Sequence, residues 1–289
     1  MRIEVKDLIY SYGQAKALKN QALSGVNLNV EEGEFFGIIG HTGSGKTTFI
    51  QHLNGLIRLN KNCGKIQVGK FDLGDKKCDF KALRASVGMV FQYPEHQLFA
   101  ETIKDDVAFG VRNFMPEKSE DEVEQMVKDA ILTVGLNYDR IKDKSPFDLS
   151  GGQKRRVAIA GVIVTKPEVL VLDEPVAGLD PVGKRDFLAL LKKLHNTFVK
   201  TIILVTHDMD IVSEYCTKVA IFNKGKIYSV GTPKEVFTHY DEMSALGLDL
   251  PLTARLMHAL DGAETAVDSE LMVDEFVDAV AKKYARGNE

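Results

Sequence analysis

The sequence predicts an α/β fold with an open sheet whose strand ends form a ligand site. Two observations support this prediction. Four short apolar runs, each typical of a buried strand, alternate with helical patterns along the chain. Each run ends in polar or glycine-rich residues, and ligands of open α/β sheets bind at the carboxyl ends of the strands. The four runs are residues 35–39, 85–91, 169–172 and 201–205.

Length and composition fit a soluble globular chain with an ample core. Of its 289 residues, 44% are hydrophobic and 27% are charged, which fits one large domain or two. A net charge of −4 argues against nucleic acid as the main partner, because no basic excess is available to displace counterions. No apolar run approaches the roughly 20 residues of a membrane helix, and the first residues lack the apolar core of a signal peptide. We therefore expect a cytoplasmic chain that can still dock on a membrane partner.

The three cysteines predict no disulfide framework and no metal site. Cys63, Cys78 and Cys216 are odd in number and lack the spacing of metal ligands. Buried or incidental thiols in a reducing compartment are the better interpretation.

The chain begins with two predicted strands. Residues 3–8 and 23–30 alternate apolar and polar side chains, as half-buried strands do. Tyr10 and Tyr12 lie between them, ahead of the glycine-rich loop described next, where a tyrosine can stack on a nucleotide base for typically about 1–3 kcal/mol. An ordinary strand tyrosine is an equal alternative. Tyr12 is the preferred base contact because it lies at the turn.

A glycine-rich loop follows the apolar run 35–39 and precedes a helical pattern over 48–53. It matches G-x-x-x-x-G-K-[ST], and a strand–loop–helix context is the one that this phosphate-binding motif requires. Its glycines let consecutive N–H groups converge on phosphate oxygens, and the helix N-terminus at Thr48 adds partial positive charge. Lys46 adds a full charge, and the Thr47 hydroxyl is offered to Mg²⁺. The loop residues are Gly40, His41, Thr42, Gly43, Ser44, Gly45, Lys46 and Thr47.

The second buried run delivers Gln92 at its end. Residues 55–74, before it, are rich in Lys, Asn and Gly and predict strand and turn. A neutral amide at a strand end can reach Mg²⁺ or an attacking water, although a plain loop residue is the alternative for Gln92 alone. Residues 93–99 are predicted to be an exposed loop with apolar tips, which favours a partner surface.

Residues 102–149 carry a helical pattern that separates the two halves of the α/β core. Ser119 and Glu122 have the spacing of a capping box. Apolar residues follow at helical spacing over 123–134, and we expect this stripe to pack in the core.

A second candidate anion site precedes the third buried run. Ser150, Gly151, Gly152 and Gln153 begin a helix predicted over 154–164, and free N–H groups at such a helix start bind anions.

Two carboxylates end the third run. Asp173 at a strand end can hold Mg²⁺ through its water shell. Its neighbour Glu174 can orient and deprotonate a water, a step usually worth about 10²–10⁴-fold in rate. Helix capping explains one of these residues but not both.

The fourth run ends at His207. Because the other strand ends of the predicted sheet carry Lys46, Gln92 and Asp173, this histidine is predicted to face the γ-phosphate. Between the third and fourth runs, a tight loop over 177–180 ends at Asp180, and a helix with apolar residues at 187–194 follows.

The last part of the chain predicts a hairpin, a capped helix and an appendix. Residues 219–222 and 226–230 form the hairpin, and Thr232 with Glu235 begins the helix. An apolar stripe from Met272 to Tyr284 is predicted to pack on its own domain or on a second copy of the chain.

Taken in this order, the motifs resemble those of the ATP-binding cassette (ABC) ATPases over residues 1 to about 235. The resemblance implies a P-loop NTPase core with an antiparallel β subdomain, an inserted α-helical subdomain over about 97–165, and a C-terminal helical appendix at 236–289 that could dimerise. It implies that Glu174, His207 and Gln92 act in catalysis and that Thr47, Gln92 and Asp173 hold Mg²⁺. It further implies that ATP is bound by Tyr12, residues 40–48, Ser150, Gly151, Gly152, Gln153 and Asp180.

A narrower resemblance is to the ATPase components of energy-coupling factor (ECF) vitamin transporters. It rests on residues 91–99, on residues 106–110 with Asn113, and on residues 247–251. Within that group the chain is more similar to the A′ member than to the A member. Val111 departs from the family pattern, which often has proline at that position.

The resemblance also implies partners. A second ATPase subunit, identical or paralogous, pairs head to tail, so that Ser150 and Gly152 of one chain cover the ATP held by Lys46 of the other. A transmembrane T component docks beside Gln92, and S components bind the substrate. The chain would then lie peripherally on the cytoplasmic face of the cell membrane, and the choice of vitamin or metal would belong to another polypeptide.

Three alternatives remain open from the sequence. A conventional ABC importer ATPase shares every catalytic motif but would lack the segment at 94–99. A chromosome or repair ATPase is disfavoured by the absence of long heptad repeats and of a basic excess. A nucleotide-dependent switch protein that does not hydrolyse ATP is disfavoured by Glu174 and His207.

Overall fold

Two sheets and a layer of helices make up the fold, which the computed structural model describes over residues 1–13, 20–238, 240–261 and 277. The strands are β1 (Ile3–Tyr12), β2 (Asn20–Val30), β3 (Phe35–Ile39), β4 (Lys65–Val68), β5 (Phe71–Asp72), β6 (Val87–Val90), β7 (Val169–Asp173), β8 (Thr201–Val205), β9 (Lys218–Asn223) and β10 (Lys226–Gly231). The helices are α1 (Lys46–Leu53), α2 (Phe80–Ser86), α3 (Ile103–Phe114), α4 (Glu120–Thr133), α5 (Tyr138–Ile141), α6 (Gly151–Ile163), α7 (Pro181–His195), α8 (Met209–Tyr215), α9 (Pro233–Phe237), α10 (Tyr240–Ala245) and α11 (Leu252–Asp261).

The larger sheet has six strands in the order β10-β9-β3-β8-β7-β6. Its five strands from β9 to β6 are parallel, and β10 pairs antiparallel with β9 at the edge. Alternate side chains of β3 enter two cores: Phe36 and Ile38 pack with α1 and the smaller sheet, whereas Phe35 and Ile39 pack under the helices. Burial on both faces explains why these strands are continuous apolar runs in the sequence.

The smaller sheet is antiparallel, with the order β2-β1-β4-β5. In β1, Ile3, Val5 and Leu8 are buried. The alternation of buried and exposed side chains therefore shifts by one residue between Val5 and Leu8. The register shifts between Val5 and Leu8, where Asp7 has a φ of +49° and exchanges hydrogen bonds with Asn27. A bulge at Asp7 therefore turns Leu8 into the core.

The helical insert consists mainly of α3, α4 and α6. The predicted capping box is confirmed, since the Ser119 hydroxyl accepts from the Glu122 N–H and the Glu122 carboxylate accepts from the Ser119 N–H. In the predicted stripe Val123, Val127 and Ile131 are buried. The predicted fold class is confirmed.

The structure corrects two predicted boundaries. Ala85 and Ser86, predicted as strand, lie in the last turn of α2, whose N-terminus is capped by Asp79 accepting from two backbone N–H groups. Helix α6 begins at Gly151 instead of residue 154, because Ser150 caps it. Residues 94–97 of the predicted loop form a 3-10 turn.

The first part of the appendix packs on the rest of the chain. Phe237, Met243, Leu250 and Ala254 belong to the same hydrophobic cluster as the helical layer. Most of the predicted stripe from 272 to 284 lies outside the described residues, and the domain boundary at 235 stays a prediction.

The three cysteines are free thiols. Burial raises the pKa of the Cys216 thiol, which makes it unreactive. Within the described ranges, no helix combines the length and the apolar character that crossing a bilayer requires.

Candidate active site

The carboxyl ends of β3, β8 and β7 lie side by side and open into one cavity of about 510 Å³. These strands are adjacent, with Ile38 paired to Val205 and Val205 paired to Asp173, so the segments that follow them meet. The predicted residues that line the cavity are Tyr12, residues 42–48, Gln92, Asp173, Glu174 and His207.

The glycine-rich loop is packed so closely that two of its glycines have no room for a side chain. Gly45 has a φ of +104°, and a Cβ there would lie 2.6 Å from the carbonyl oxygen of Ala22. At Gly40 a Cβ would lie 2.3 Å from the carbonyl oxygen of Phe222. Since α1 begins at Lys46, its first N–H groups have no acceptor within the helix and are directed out of its N-terminus. The loop therefore presents backbone donors at one end of the cavity.

Lys46 folds back over this loop. Its Nζ donates to the carbonyl oxygens of Gly40 at 2.6 Å and of His41 at 3.0 Å. Burial lowers the pKa of Lys46, and the nearby charges of Glu174 and Asp173 oppose that shift. The ammonium group, the helix N-terminus and the loop N–H groups together fit a polyphosphate.

Two oxygen donors suited to Mg²⁺ lie together. Thr47 Oγ1 donates to Asp173 Oδ2 at 2.8 Å. Burial raises the pKa of Asp173, while the Thr47 hydrogen bond and the Lys46 charge oppose the shift. Within the described residues there is no cluster of three His, Cys, Asp or Glu side chains placed to hold a metal ion. Hydroxyl and carboxylate oxygens next to a phosphate site fit Mg²⁺, which keeps several waters and takes few protein ligands.

Glu174 is held in a strained conformation beside His207. Its φ is +47°, uncommon for a residue with a side chain and often found at functional sites. Its N–H donates to the Val205 carbonyl oxygen at 2.9 Å, and its Oε2 accepts from His207 Nδ1 at 2.8 Å. Burial raises the pKa of Glu174, against the opposing hydrogen bond from His207. A buried carboxylate of raised pKa is suited to accept a proton.

Tyr12 lies at the other end of the cavity. The residue is 44% exposed, and its hydroxyl is 3.0 Å from Thr48 Oγ1. Tyr10 does not line the cavity and lies behind Tyr12, with the ring centroids 4.9 Å apart.

The structure does not bring the second candidate anion site to this cavity. The Ser150 hydroxyl accepts from the Gln153 N–H at the start of α6, and Asp180 caps α7 through the Gly183 N–H at 2.6 Å. None of residues 150–153 and 180 lines the cavity. A Cβ on Gly151 or Gly152 would meet no atom within 4 Å, so the backbone there is open to a second molecule.

Sequence reasoning missed a buried ion pair that joins these regions. Arg155 on α6 donates to both carboxylate oxygens of Glu95 at 2.9 and 3.0 Å, and also to the carbonyl oxygen of Ala177 at 3.1 Å. Burial pushes the pKa of Glu95 up, but the hydrogen bonds and charge of Arg155 outweigh it and hold the pKa below its ordinary value. An arginine within an otherwise apolar helix face was the available signal.

Comparison with known proteins gives consistent results. The ABC transporter family profile matches residues 23–177. The energy-coupling factor transporter ATP-binding protein EcfA2 of Clostridium tetani is 47% identical over 260 residues, covering 90% of this chain and 89% of that protein. Among solved structures, cbiO1 from Clostridium perfringens, part of the ABC transporter complex cbiONQ, is 38% identical with a TM-score of 0.71, covering 89% of this chain and 98% of the other. The ATP-binding cassette MJ0796, a dimer bound to ADP and Pi, is 27% identical with a TM-score of 0.69 and covers 80% and 98%.

Proposed function

The chain belongs to the ABC transporter family, and from that premise we propose that it is the ATP-hydrolysing subunit of an ECF-type importer of vitamins or other micronutrients. One observation carries the proposal. The phosphate loop, the Thr47–Asp173 pair and the Glu174–His207 pair converge on one cavity. These are the parts that phosphoryl transfer to water requires: a phosphate cradle, metal ligands and a base.

In this proposal Lys46 and the N-terminus of α1 hold the β- and γ-phosphates. Thr47 and Asp173, with Gln92 at the same cavity, are the residues that would hold Mg²⁺, which supplies charge neutralisation at the phosphates when bound. Glu174 orients the attacking water and accepts its proton, and His207 fixes the Glu174 carboxylate. That these side chains line one cavity of a single chain supports the proposal.

A second ATPase subunit completes the site. The open N-terminus of α6 at Ser150 would cover the ATP bound by the partner. The exposed backbone at Gly151 and Gly152 would then contact that ATP. Shifting such a pair from mostly open to mostly closed takes roughly 5.5 kcal/mol of differential binding. Charge-assisted hydrogen bonds supply roughly 1.5–3 kcal/mol each, so several contacts from both chains are required.

An apolar groove beside Gln92 is the proposed docking site of the transmembrane T component. Met89, Phe91 and Leu98 line it, together with the exposed rings of Phe99 and Phe109, whose centroids are 5.0 Å apart. Exposed apolar surface of this kind is typical of a protein interface. S components would then bind the substrate, and this chain, of the A′ type, would reach the cytoplasmic face of the membrane only through its partners.

The catalytic proposal is tested by Glu174→Gln. With transporter partners present, ATP-Mg²⁺ binding and dimer closure should survive, while steady-state phosphate release falls by at least about 10²-fold because the proton acceptor is lost. Glu168→Gln is the matched control. Glu168 is a half-exposed carboxylate that directly precedes β7, at the end of the strand opposite Glu174, and it does not line the cavity. Turnover near the wild-type rate in Glu174→Gln would show that another group is the base.

The transport proposal is tested by purifying the solubilised membrane complex and identifying its subunits by mass spectrometry. We expect a second ATPase and a multispanning T component. The T component should be lost from the complex when Phe99 and Phe109 are both changed to alanine. Phe147→Ala is the control, because Phe147 is equally exposed but lies outside the groove. Recovery of a permease with its own dedicated binding protein would instead favour a conventional ABC importer.

A further inference from the structure

Two contacts restrain the ring of Tyr12 at the mouth of the cavity. Its hydroxyl shares a hydrogen bond with Thr48 Oγ1 at 3.0 Å. Its ring and that of Tyr10 form an edge-to-face pair, with a centroid distance of 4.9 Å and an interplanar angle of 89°. An aromatic side chain that is 44% exposed would otherwise exchange between staggered rotamers. The hydroxyl contact fixes one end of the ring, and Tyr10 packs against it.

Tyr10 is itself supported by a buried histidine. The rings of Tyr10 and His52 are 4.9 Å apart at 79°, an edge-to-face geometry that aromatic pairs favour. His52 is 1% exposed on α1. Its Nδ1 donates to the carbonyl oxygen of Thr48 at 2.7 Å, which fixes both the tautomer and the plane of the ring. Burial lowers the pKa of His52, although the hydrogen bond to Thr48 opposes that shift.

These contacts form a closed circuit through one residue of α1. Thr48 binds Tyr12 through its hydroxyl and His52 through its carbonyl oxygen, and Tyr10 joins the two rings. Thr48 is also the second residue after Lys46, so the helix that presents the phosphate cradle also fixes the aromatic end of the cavity. The distance between the two ends is thereby set by packing within one chain.

We propose that Tyr10 and His52 are positioning residues that hold Tyr12 where it stacks on the base of the bound nucleotide. The inference rests on the proposed function, since it assigns the aromatic end of the same cavity to the base. Neither residue touches the nucleotide. Their effect is on how well a base is recognised, and the triphosphate end of the cavity keeps its affinity without them.

The test compares ATP with inorganic tripolyphosphate, which has the phosphates and no base. In the full-length chain, Tyr10→Leu should weaken ATP binding by about three- to tenfold, as expected for losing one aromatic contact, and should leave the tripolyphosphate affinity unchanged. Tyr10→Phe keeps the ring and should restore ATP binding. In the assembled transporter, KM for ATP should rise in Tyr10→Leu while kcat at saturating ATP is retained.

His52→Asn extends the test to the buried end. Asparagine can still donate to the Thr48 carbonyl oxygen but has no ring, so the variant should lose the same selectivity for ATP. The double variant should lose no more than either single variant, because both act through one support. Tyr228→Leu is the control, since Tyr228 is a half-exposed strand tyrosine bonded to Glu242.

The outcomes separate this inference from the proposed function. Wild-type protein that binds neither ATP nor tripolyphosphate would refute both the proposed function and the positioning role of Tyr10 and His52. Wild-type protein that prefers ATP, with a Tyr10→Leu variant of unchanged preference, would overturn the positioning role alone. Equal loss of ATP and tripolyphosphate in Tyr10→Leu would also overturn it, because a merely structural residue would weaken both ends of the cavity.

Discussion

Removing the carboxylate of Glu95 should destabilise the fold severely. The Arg155 side chain is 5% exposed and that of Glu95 is 19% exposed. With Glu95→Ala, the guanidinium would keep only the Ala177 carbonyl oxygen as acceptor, and its Nη1 already lacks a partner among the described residues. Removing one partner of a buried ion pair, which leaves the other charge unpaired, costs about 3–5 kcal/mol. Because the site of Glu95 is partly open to water, we expect about 3 kcal/mol.

The control is an ion pair of similar length at the surface. Glu120 lies 2.9 Å from Arg112, and its side chain is 74% exposed. Exposed pairs contribute about 0–1 kcal/mol, so Glu120→Ala should change the stability little. The two variants thus differ mainly in whether the charge that remains is surrounded by water.

The measurement is unfolding of the nucleotide-free chain followed by circular dichroism, since the sequence has no tryptophan. One kcal/mol changes Tm by about 2–4 °C in domains of 150–250 residues, so Glu95→Ala should lower it by roughly 6 °C or more. Adding Arg155→Met should restore part of the loss, because the unpaired charge is then gone. The reasoning is refuted if Glu95→Ala costs no more than Glu120→Ala, or if the double variant is less stable than both single variants.

Three further predictions concern the loop, the metal ligands and the buried histidine. Gly45→Ala should abolish ATP binding, because the new Cβ would lie 2.6 Å from a backbone oxygen. Gly33 has a similar φ of +96° but lies in open space, so Gly33→Ala should only lower the stability by about 1–2 kcal/mol. Equal ATP affinity in the two variants would contradict this prediction. Thr47→Val should remove the Mg²⁺ dependence of ATP binding. Thr47→Ser, which keeps the hydroxyl near Asp173, should retain that dependence. A valine variant with normal Mg²⁺ dependence would exclude Thr47 as a metal ligand. Burial lowers the pKa of His52, so the unfolded chain takes up a proton at higher pH than the folded chain, and stability should fall below about pH 6.5 by up to about 1.4 kcal/mol at pH 5.5. His52→Asn should lack this component in unfolding measured between pH 7.5 and 5.5, and a parallel pH dependence in both proteins would exclude His52 as its source.

The parts of the site that the sequence predicts are those encoded by consecutive residues. The phosphate loop follows β3 directly. Asp173 ends β7, Glu174 follows it, and His207 lies two residues after β8, so identifying the strands was sufficient to bring these residues together. Helix α2 was missed because it is seven residues long and its sequence lacks a clear apolar period. Its cap, Asp79, lies just beyond the range 55–74, for which the sequence predicts strand and turn.

The contacts that support the site could not be predicted, because they join distant segments. Glu95 and Arg155 are 60 residues apart in the chain, and Tyr10 and His52 lie on different layers of the fold. No local pattern distinguishes Tyr10 from any other strand tyrosine. Its position behind Tyr12 depends on how α1 packs against β1.

The ion pair also constrains how the chain can move. Arg155 lies on the helix that Ser150 caps, Glu95 lies three residues after Gln92, and Ala177 lies three residues after Glu174. If rupture of these contacts costs about 3 kcal/mol, as expected above for the loss of Glu95, breaking them would consume more than half of the roughly 5.5 kcal/mol that shifts such a pair from mostly open to mostly closed. A motion that keeps the contacts is therefore favoured, and in it the start of α6 moves together with the segments that follow Gln92 and Glu174.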